Sequence, residues 1–253
     1  MHRRYQIVWM VLGLLGLAGC GLLEMPELPP VPTPVATAVP WNGAQLPPGE
    51  VVLDPVSDIV PVVDPQIAGL IATVSQQQLM GYVQTMQSFG NRNVFSVTDD
   101  PAFGIGATRQ WLVDEFTRVG NGRLQVAIQE FPLFYNGLAT NPYNVVATLP
   151  GQVGNNDLIV IMAHYDNRAP EPTDGETYAP GANDNGSGIA LLLESARLLS
   201  AYEWNQTIVF LAAAAEEQGT FGSRHFVQTA FLEGKNIIAA INYDAVGGRP
   251  GIP

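Results

Sequence analysis

Leu158-Ile159-Val160-Ile161-Met162-Ala163 is an unbroken apolar run, and His164-Tyr165-Asp166 follows it at once. Such a run, without polar alternation, describes a strand buried on both faces, the pattern of a parallel sheet covered by helices. Thr207 to Ala213 and Ile237 to Tyr243 repeat it as two further buried strands. Helical periodicity fills the gaps between them, over Gly188–Leu199 and Phe221–Phe231. Upstream, Leu124–Phe131 alternates apolar and polar as an edge or antiparallel strand does, and Asn144–Leu149 is a strand ended by Pro150-Gly151. Gln66–Phe89 reads as one helix with Ile67, Leu70, Ile71, Val74, Leu79, Val83 and Met86 as its apolar positions. Pro101–Val119 reads as another, with Trp111, Leu112, Phe116 and Val119 on one side. This order predicts a three-layer α/β/α protein with a central mixed, mostly parallel β-sheet. In such sheets chemistry collects beyond the carboxyl ends of the central strands.

Composition narrows the classes. The 253 residues carry 11 basic and 23 acidic side chains, net −12. From Gln66 onward the balance is 9 against 17, which would repel a phosphate backbone and argues against nucleic acid as a partner. One cysteine excludes a disulfide framework, and no CxxC pair exists for a zinc ribbon. A hydrophobic content of 47% is incompatible with wholesale disorder. Gln66–Pro253, at 188 residues, is enough for one sizeable core.

The three apolar strands end in polar residues of one kind: His164-Tyr165-Asp166, Glu216-Glu217 and Asn242-Tyr243-Asp244. Between the first two lies the glycine-rich loop Pro180-Gly181-Ala182-Asn183-Asp184-Asn185-Gly186-Ser187-Gly188, opening onto a helix. Each element alone has an ordinary reading. A single histidine is usually a satisfied polar residue, Glu216-Glu217 suits a helix start, Asp184 suits a turn or N-cap, and Asp244 suits a soluble strand end. Together they would place one imidazole and several carboxylates at one sheet edge, where they repel unless a cation sits among them. Histidine with carboxylates and no sulfur suits a hydrolytic zinc site.

These segments, with Ala215-Glu216-Glu217, Gly219, Gly222-Ser223 and Asn144-Val145-Val146-Ala147, resemble the ordered motifs of the M28 family of zinc peptidases, best known for co-catalytic aminopeptidases. The resemblance runs from about Ala102 to the last residue. It implies a zinc-exopeptidase-like fold over 66–253 and peptide substrates. His164 and Asp244 would bind one zinc, Asp184 would bridge two, and Glu217 would bind the second. Asp166 would orient the His164 ring, and the Asp184–Asn185 peptide would be cis. Glu216, turned away from Glu217 by strand alternation, would be the general base, taking a proton from water and returning it to the leaving amine.

The sequence departs from the family in two respects. The last strands and helices of the usual domain are absent, so one side of the sheet is expected to be uncovered. A second-zinc histidine normally follows well downstream of the Asp244 position, but the chain stops nine residues later at Pro253. Its other histidines are His2 and His225, the latter at a position where the family carries non-ligand residues. Gly247-Gly248-Arg249-Pro250-Gly251-Ile252-Pro253 reads as the middle of a loop. The expectation is a frame truncated at its C-terminus, with two zinc ions in the complete domain and one in this chain. Two other readings stay open: a glutaminyl cyclase-like enzyme of the same superfamily, and an inactive surface binding module.

The amino terminus reads as an address. Arg3 and Arg4 precede twelve apolar residues, Ile7–Ala18, short of the about 20 a bilayer-spanning helix needs. Leu17-Ala18-Gly19-Cys20 resembles the bacterial lipobox, so residues 1–19 are expected to be a lipoprotein signal peptide and Cys20 the lipidated residue. Residues 20–65 read as a proline-rich tether, with eleven prolines and no Lys or Arg between Gly21 and Pro65; Val51–Leu53 or Ile59-Val60 would add a short edge strand. The expected location is an exported protein, lipid-anchored to the bacterial membrane and facing outside or the periplasm.

Overall fold

The first apolar stretch breaks into two helices rather than forming one. The computed structural model describes residues 64–248, and within them α1 spans Pro65–Ala72 and α2 spans Gln76–Ser88. Asp64 caps α1, with Pro65 at its first position. The Thr73 hydroxyl donates to Leu70 O at 2.7 Å, and Ser75 caps α2 by accepting from Gln78 N at 3.2 Å. The predicted continuous helix over Gln66–Phe89 is therefore corrected. Capping chemistry at Thr73 and Ser75 overrides the apolar period, and Ile67, Ile71 and Val74 stay exposed.

The chain continues as α3 (Gly104–Gly120), β1 (Gln125–Glu130), β2 (Leu133–Tyr135), β3 (Leu138–Thr140), β4 (Tyr143–Leu149), β5 (Asp157–His164), α4 (Gly186–Leu199), β6 (Thr207–Ala213), α5 (Phe221–Leu232) and β7 (Asn236–Asn242). The main sheet has the order β1-β4-β6-β5-β7. β1 pairs antiparallel with β4 and β4 with β6, while β6–β5 and β5–β7 are parallel. Only β4 runs against the other four, so the sheet is mixed and mostly parallel, as expected. β2 and β3 form a separate hairpin through Asn136-Gly137, both at positive φ. An Asn-Gly pair is the sequence signal of such a two-residue hairpin turn.

Strand alternation divides the core into two layers. Ile208, Phe210 and Ala212 of β6 and Ile161 and Ala163 of β5 face Met86 of α2, Leu112 and Phe116 of α3, and Ile189, Leu192 and Leu193 of α4. Val209, Leu211 and Ala213 with Leu158 and Val160 face the other way, onto Phe226 of α5. Helices thus cover both faces, which completes the three-layer α/β/α expectation. β7 departs from it. Expected to be a buried strand, it is exposed over most of its length, with Ile238 at 49% and Ile241 at 46%. It pairs only with β5, and among the described residues no strand lies on its outer edge. The leader, Cys20, residues 20–63 of the tether and the suggested edge strand lie outside the described residues, while Asp64 and Pro65, read as its end, cap and open α1.

Leu193, fully buried in α4, and Ile71, 62% exposed on α1, separate core from surface. Leu193→Ala should cost about 2–5 kcal/mol of unfolding free energy in a urea titration. Ile71→Ala should stay within about 0.5 kcal/mol. Equal losses at the two positions would contradict this packing.

Candidate metal centre

The parallel trio β6, β5 and β7 ends at one edge, and register decides which residues meet there. Met162 pairs with Asn242, so His164 at the end of β5 lies level with Asp244 just beyond β7. Tyr243 N still donates to Met162 O at 2.8 Å, fixing the backbone on which Asp244 stands. Asp184 arrives from the glycine-rich loop in front of α4; the Asp184–Asn185 peptide is cis.

His164 is 3% exposed and lies at the centre of the group. Its Nε2 is 3.2 Å from Asp184 Oδ1 and 3.6 Å from Asp244 Oδ1, and one donor atom from each of the three lies within 4.8 Å of the others. On the far side of the ring, Nδ1 is 3.1 Å from Asp166 O and 3.6 Å from Asp166 Oδ1. With Nδ1–H donated to Asp166, Nε2 is the nitrogen turned to the two aspartates, the arrangement a ligating imidazole needs. Among the described residues this is the one close group of three such side chains.

Asp166 does more than orient the ring. Its buried carboxylate accepts the backbone N–H of Glu216 at Oδ1 and of Glu217 at Oδ2, both at 3.2 Å. Glu216 and Glu217 therefore do not diverge by strand alternation, as the sequence reading supposed. β6 ends at Ala213, Ala215 adopts a left-handed φ of 56°, and both glutamates lie in the turn that follows. Asn144 of β4 braces this turn: its Oδ1 accepts from Ala214 N at 3.0 Å and its Nδ2 donates to Gly222 O at 2.9 Å. Gly222 must lack a side chain there, since a Cβ would lie 2.3 Å from Asn144 Oδ1.

The electrostatics show an excess of negative charge. Burial acts to lower the His164 pKa, but hydrogen bonds to Asp166 and Asp184 outweigh it and push it up to about 11. The same contact with His164 holds Asp184 below the usual carboxylate range against the effect of burial. Burial, with the charges of Asp166 and Asp184, pushes Glu217 up to about 7, although an ion pair with Arg168, Nε to Oε2 at 3.0 Å, opposes it. Burial also raises Glu216, opposed by His164 and reinforced by Asp166, Asp244 and Asp184. Glu216 and Glu217 thus stand beside the His164–Asp184–Asp244 group without joining it. His225, on α5, stacks on Phe131 at 5.3 Å and lies outside the group.

Arg92 was not singled out from the sequence, where a lone arginine in a polar segment reads as a surface residue. It is fully buried. Its guanidinium donates to the carbonyls of Tyr165 (2.9 Å), Met86 (2.9 Å), Pro180 (2.6 Å) and Gly181 (3.0 Å). It thereby ties the loop bearing Asp184 to the end of β5 and to α2. Burial pulls its pKa down to about 10, with Asp166, Asp184 and Glu217 opposing, so it remains a cation at neutral pH.

One imidazole nitrogen and two carboxylate oxygens, without sulfur and with a carboxylate behind the imidazole, fit zinc of the hydrolytic kind. An α/β/α sheet with such a set at its carboxyl edge defines the class of zinc-exopeptidase-like folds. Residues 144–252 match Peptidase family M28, the family that the sequence motifs resemble. The chain is 35% identical over 220 residues to a probable zinc metalloprotease of Pyricularia oryzae, covering 83% of this chain and 42% of the relative. It thus spans about two fifths of the length of that curated relative. Two Bacteroides thetaiotaomicron crystal structures share the fold at 23% identity and a TM-score of 0.57. One is a leucine aminopeptidase precursor, covering 71% of this chain and 65% of its own. The other is a glutaminyl cyclase bound to N-acetylhistamine, covering 71% and 64%.

A metal on Nε2 must displace the proton that the carboxylates hold on His164. Below a pKa of about 11 the zinc ion taken up at His164 should release one proton from this ring, and its affinity should strengthen about tenfold per pH unit between pH 7 and 9. Calorimetry in buffers of different ionisation enthalpy checks this; zinc uptake without proton release would contradict the geometry. For the metal-free protein the sign is opposite. The raised pKa contributes stability that is complete below about 6.5 and lost as pH climbs through about 11.

Proposed function

We propose that the chain is a zinc-dependent exopeptidase of the M28 type, acting as an aminopeptidase on peptide substrates. The observation that carries this reading is the convergence of His164 Nε2, Asp184 Oδ1 and Asp244 Oδ1 beside Glu216. Zinc bound there supplies a Lewis acid for the scissile carbonyl and lowers the pKa of water. His164, Asp184 and Asp244 hold the ion in this reading. Glu217, partly buried at the same edge, would with Asp184 hold a second ion in the complete domain.

Glu216 serves as general base. Its backbone is pinned by Asp166, and burial, opposed by His164 and reinforced by the surrounding acids, raises its carboxyl above the ordinary value. A carboxylate so tuned takes a proton from the attacking water and passes it to the leaving amine. The edge that carries Asp184, Glu216, Glu217 and Asp244 favours a substrate arriving with a cationic free amine, which supports cleavage from the amino end.

Export and anchoring belong to the same proposal and rest on the sequence of residues 1–20. Among the described residues no helix is long and apolar enough to cross a membrane. On the lipobox reading of Leu17-Ala18-Gly19-Cys20, Cys20→Ser should move the protein from the detergent phase to the aqueous phase on partitioning; retention in the detergent phase would remove the lipid assignment.

Glu216→Gln should keep zinc, by metal analysis, and lower turnover of a chromogenic aminoacyl substrate by about 10²–10⁴-fold. Asp184→Ala should lose zinc. Equal zinc content in wild type and Asp184→Ala would sink the ligand assignment. Ring closure of an N-terminal glutaminyl peptide, without hydrolysis of the aminoacyl substrate, would move the site to cyclase chemistry.

A further inference from the structure

Asp184 and Asp244 come from separate loops, and only their mutual placement makes them one donor set. One side chain reaches the backbone on both flanks of Asp244 from the Asp184 loop. Asn185 is fully buried, and its Oδ1 accepts from Gly188 N at 3.0 Å, which caps α4. The same oxygen accepts from Ala245 N at 3.2 Å, while Nδ2 donates to Tyr243 O at 2.9 Å. Tyr243 and Ala245 are the residues on either side of Asp244. One amide therefore holds the backbone before and after one aspartate while being next in the chain to the other.

Neighbouring features fit the same purpose. Ala245 has a φ of 48°, a left-handed conformation that costs a residue with a Cβ and persists only where surroundings impose it. Further along the loop, Gly247 N donates to Asn183 Oδ1 at 2.8 Å and to Ser187 Oγ at 3.2 Å. A Cβ at Gly188 would lie 2.2 Å from Asn185 Oδ1 and 2.5 Å from Tyr243 O, so glycine leaves room for the bridge. Helix capping alone does not require asparagine, because serine caps equally well. Gripping a carbonyl and an amide at once needs a side chain that both donates and accepts at that length.

We propose that Asn185 is a positioning residue of the metal centre, setting the place of Asp244 relative to Asp184 through Tyr243 O and Ala245 N. This rests on the reading of the two aspartates as zinc ligands. In this role Asn185 acts through Asp244 and touches neither metal nor substrate.

The test is a double-mutant cycle on the full chain, with zinc affinity measured by competition against a chromophoric chelator. Asn185→Ser keeps a capping oxygen but is too short to reach Tyr243. It should weaken zinc binding by about 10–100-fold, the range for residues that orient ligands. The metal-free melting temperature should change little. Added to Asp244→Ala, Asn185→Ser should change affinity by less than about threefold, because the arm it positions is gone. Wild-type affinity in Asn185→Ser, or losses that multiply in the double variant, would overturn the proposal. If Asn185→Ser does not fold, Asn185→Asp keeps size and cap while losing the donation to Tyr243. Its added charge alone would strengthen zinc binding, so weaker binding supports the clamp and stronger binding overturns it. A wild-type chain that takes up no zinc overturns the ligand reading instead, which keeps the two failures distinguishable.

Discussion

Crowded negative charge at one sheet edge is the constraint on which the rest of this structure depends. Two like charges 4 Å apart repel by about 4 kcal/mol at an effective dielectric of about 20. A few such pairs rival the about 5–15 kcal/mol that holds a whole domain together. Asp166, Asp184, Glu216, Glu217 and Asp244 gather around one imidazole, so positive charge has to be supplied. Without metal it comes from the proton on His164, from buried Arg92, and from Arg168 on Glu217. A divalent cation on His164, Asp184 and Asp244 meets the same need more directly. The repulsion that makes the metal-free edge costly is what favours metal uptake.

Holding that edge together falls to buried polar side chains whose hydrogen bonds end on backbone. Asp166 takes two successive amides of the Glu216–Glu217 turn, Asn144 braces the same turn from β4, and Arg92 fastens the glycine-rich loop. A buried polar group left without a partner costs about 1–3 kcal/mol, so each of these resists displacement. The side chains that carry the proposed chemistry are, by contrast, partly open to solvent: Asp184 is 61% exposed and Asp244 44%. Rigidity lies behind the donor set and access in front of it.

Much of this was legible from residue order. The runs at Leu158–Ala163 and Thr207–Ala213 identify parallel strands because only a sheet covered on both faces tolerates them. Polar residues following those runs mark the functional edge for the same topological reason. The helix over Gln66–Phe89 was misread because apolar period outvoted the caps at Thr73 and Ser75. β7 has the apolar run of a buried strand, but the absence of the family's last strands and helices already predicts an uncovered side of the sheet, and β7 is the strand left there. Arg92 left no local signal at all, since the carbonyls that hold it come from α2, from the end of β5 and from the loop before α4.

Sequence by itself determined the alternation of elements and the layer architecture, because strand period and turn chemistry are local and act within a few residues; His164, Asp184 and Asp244 were singled out by the resemblance of their motifs to a family. Only the tertiary structure decided the distances and the supports: Asp166 bridging β5 to the turn after β6, Asn185 joining two loops, and Arg92 buried beneath them. Those depend on strand register and on backbone carbonyls and amides, which every residue carries alike. A spacing in the sequence says which side chains are available, and packing alone says which backbone groups they meet.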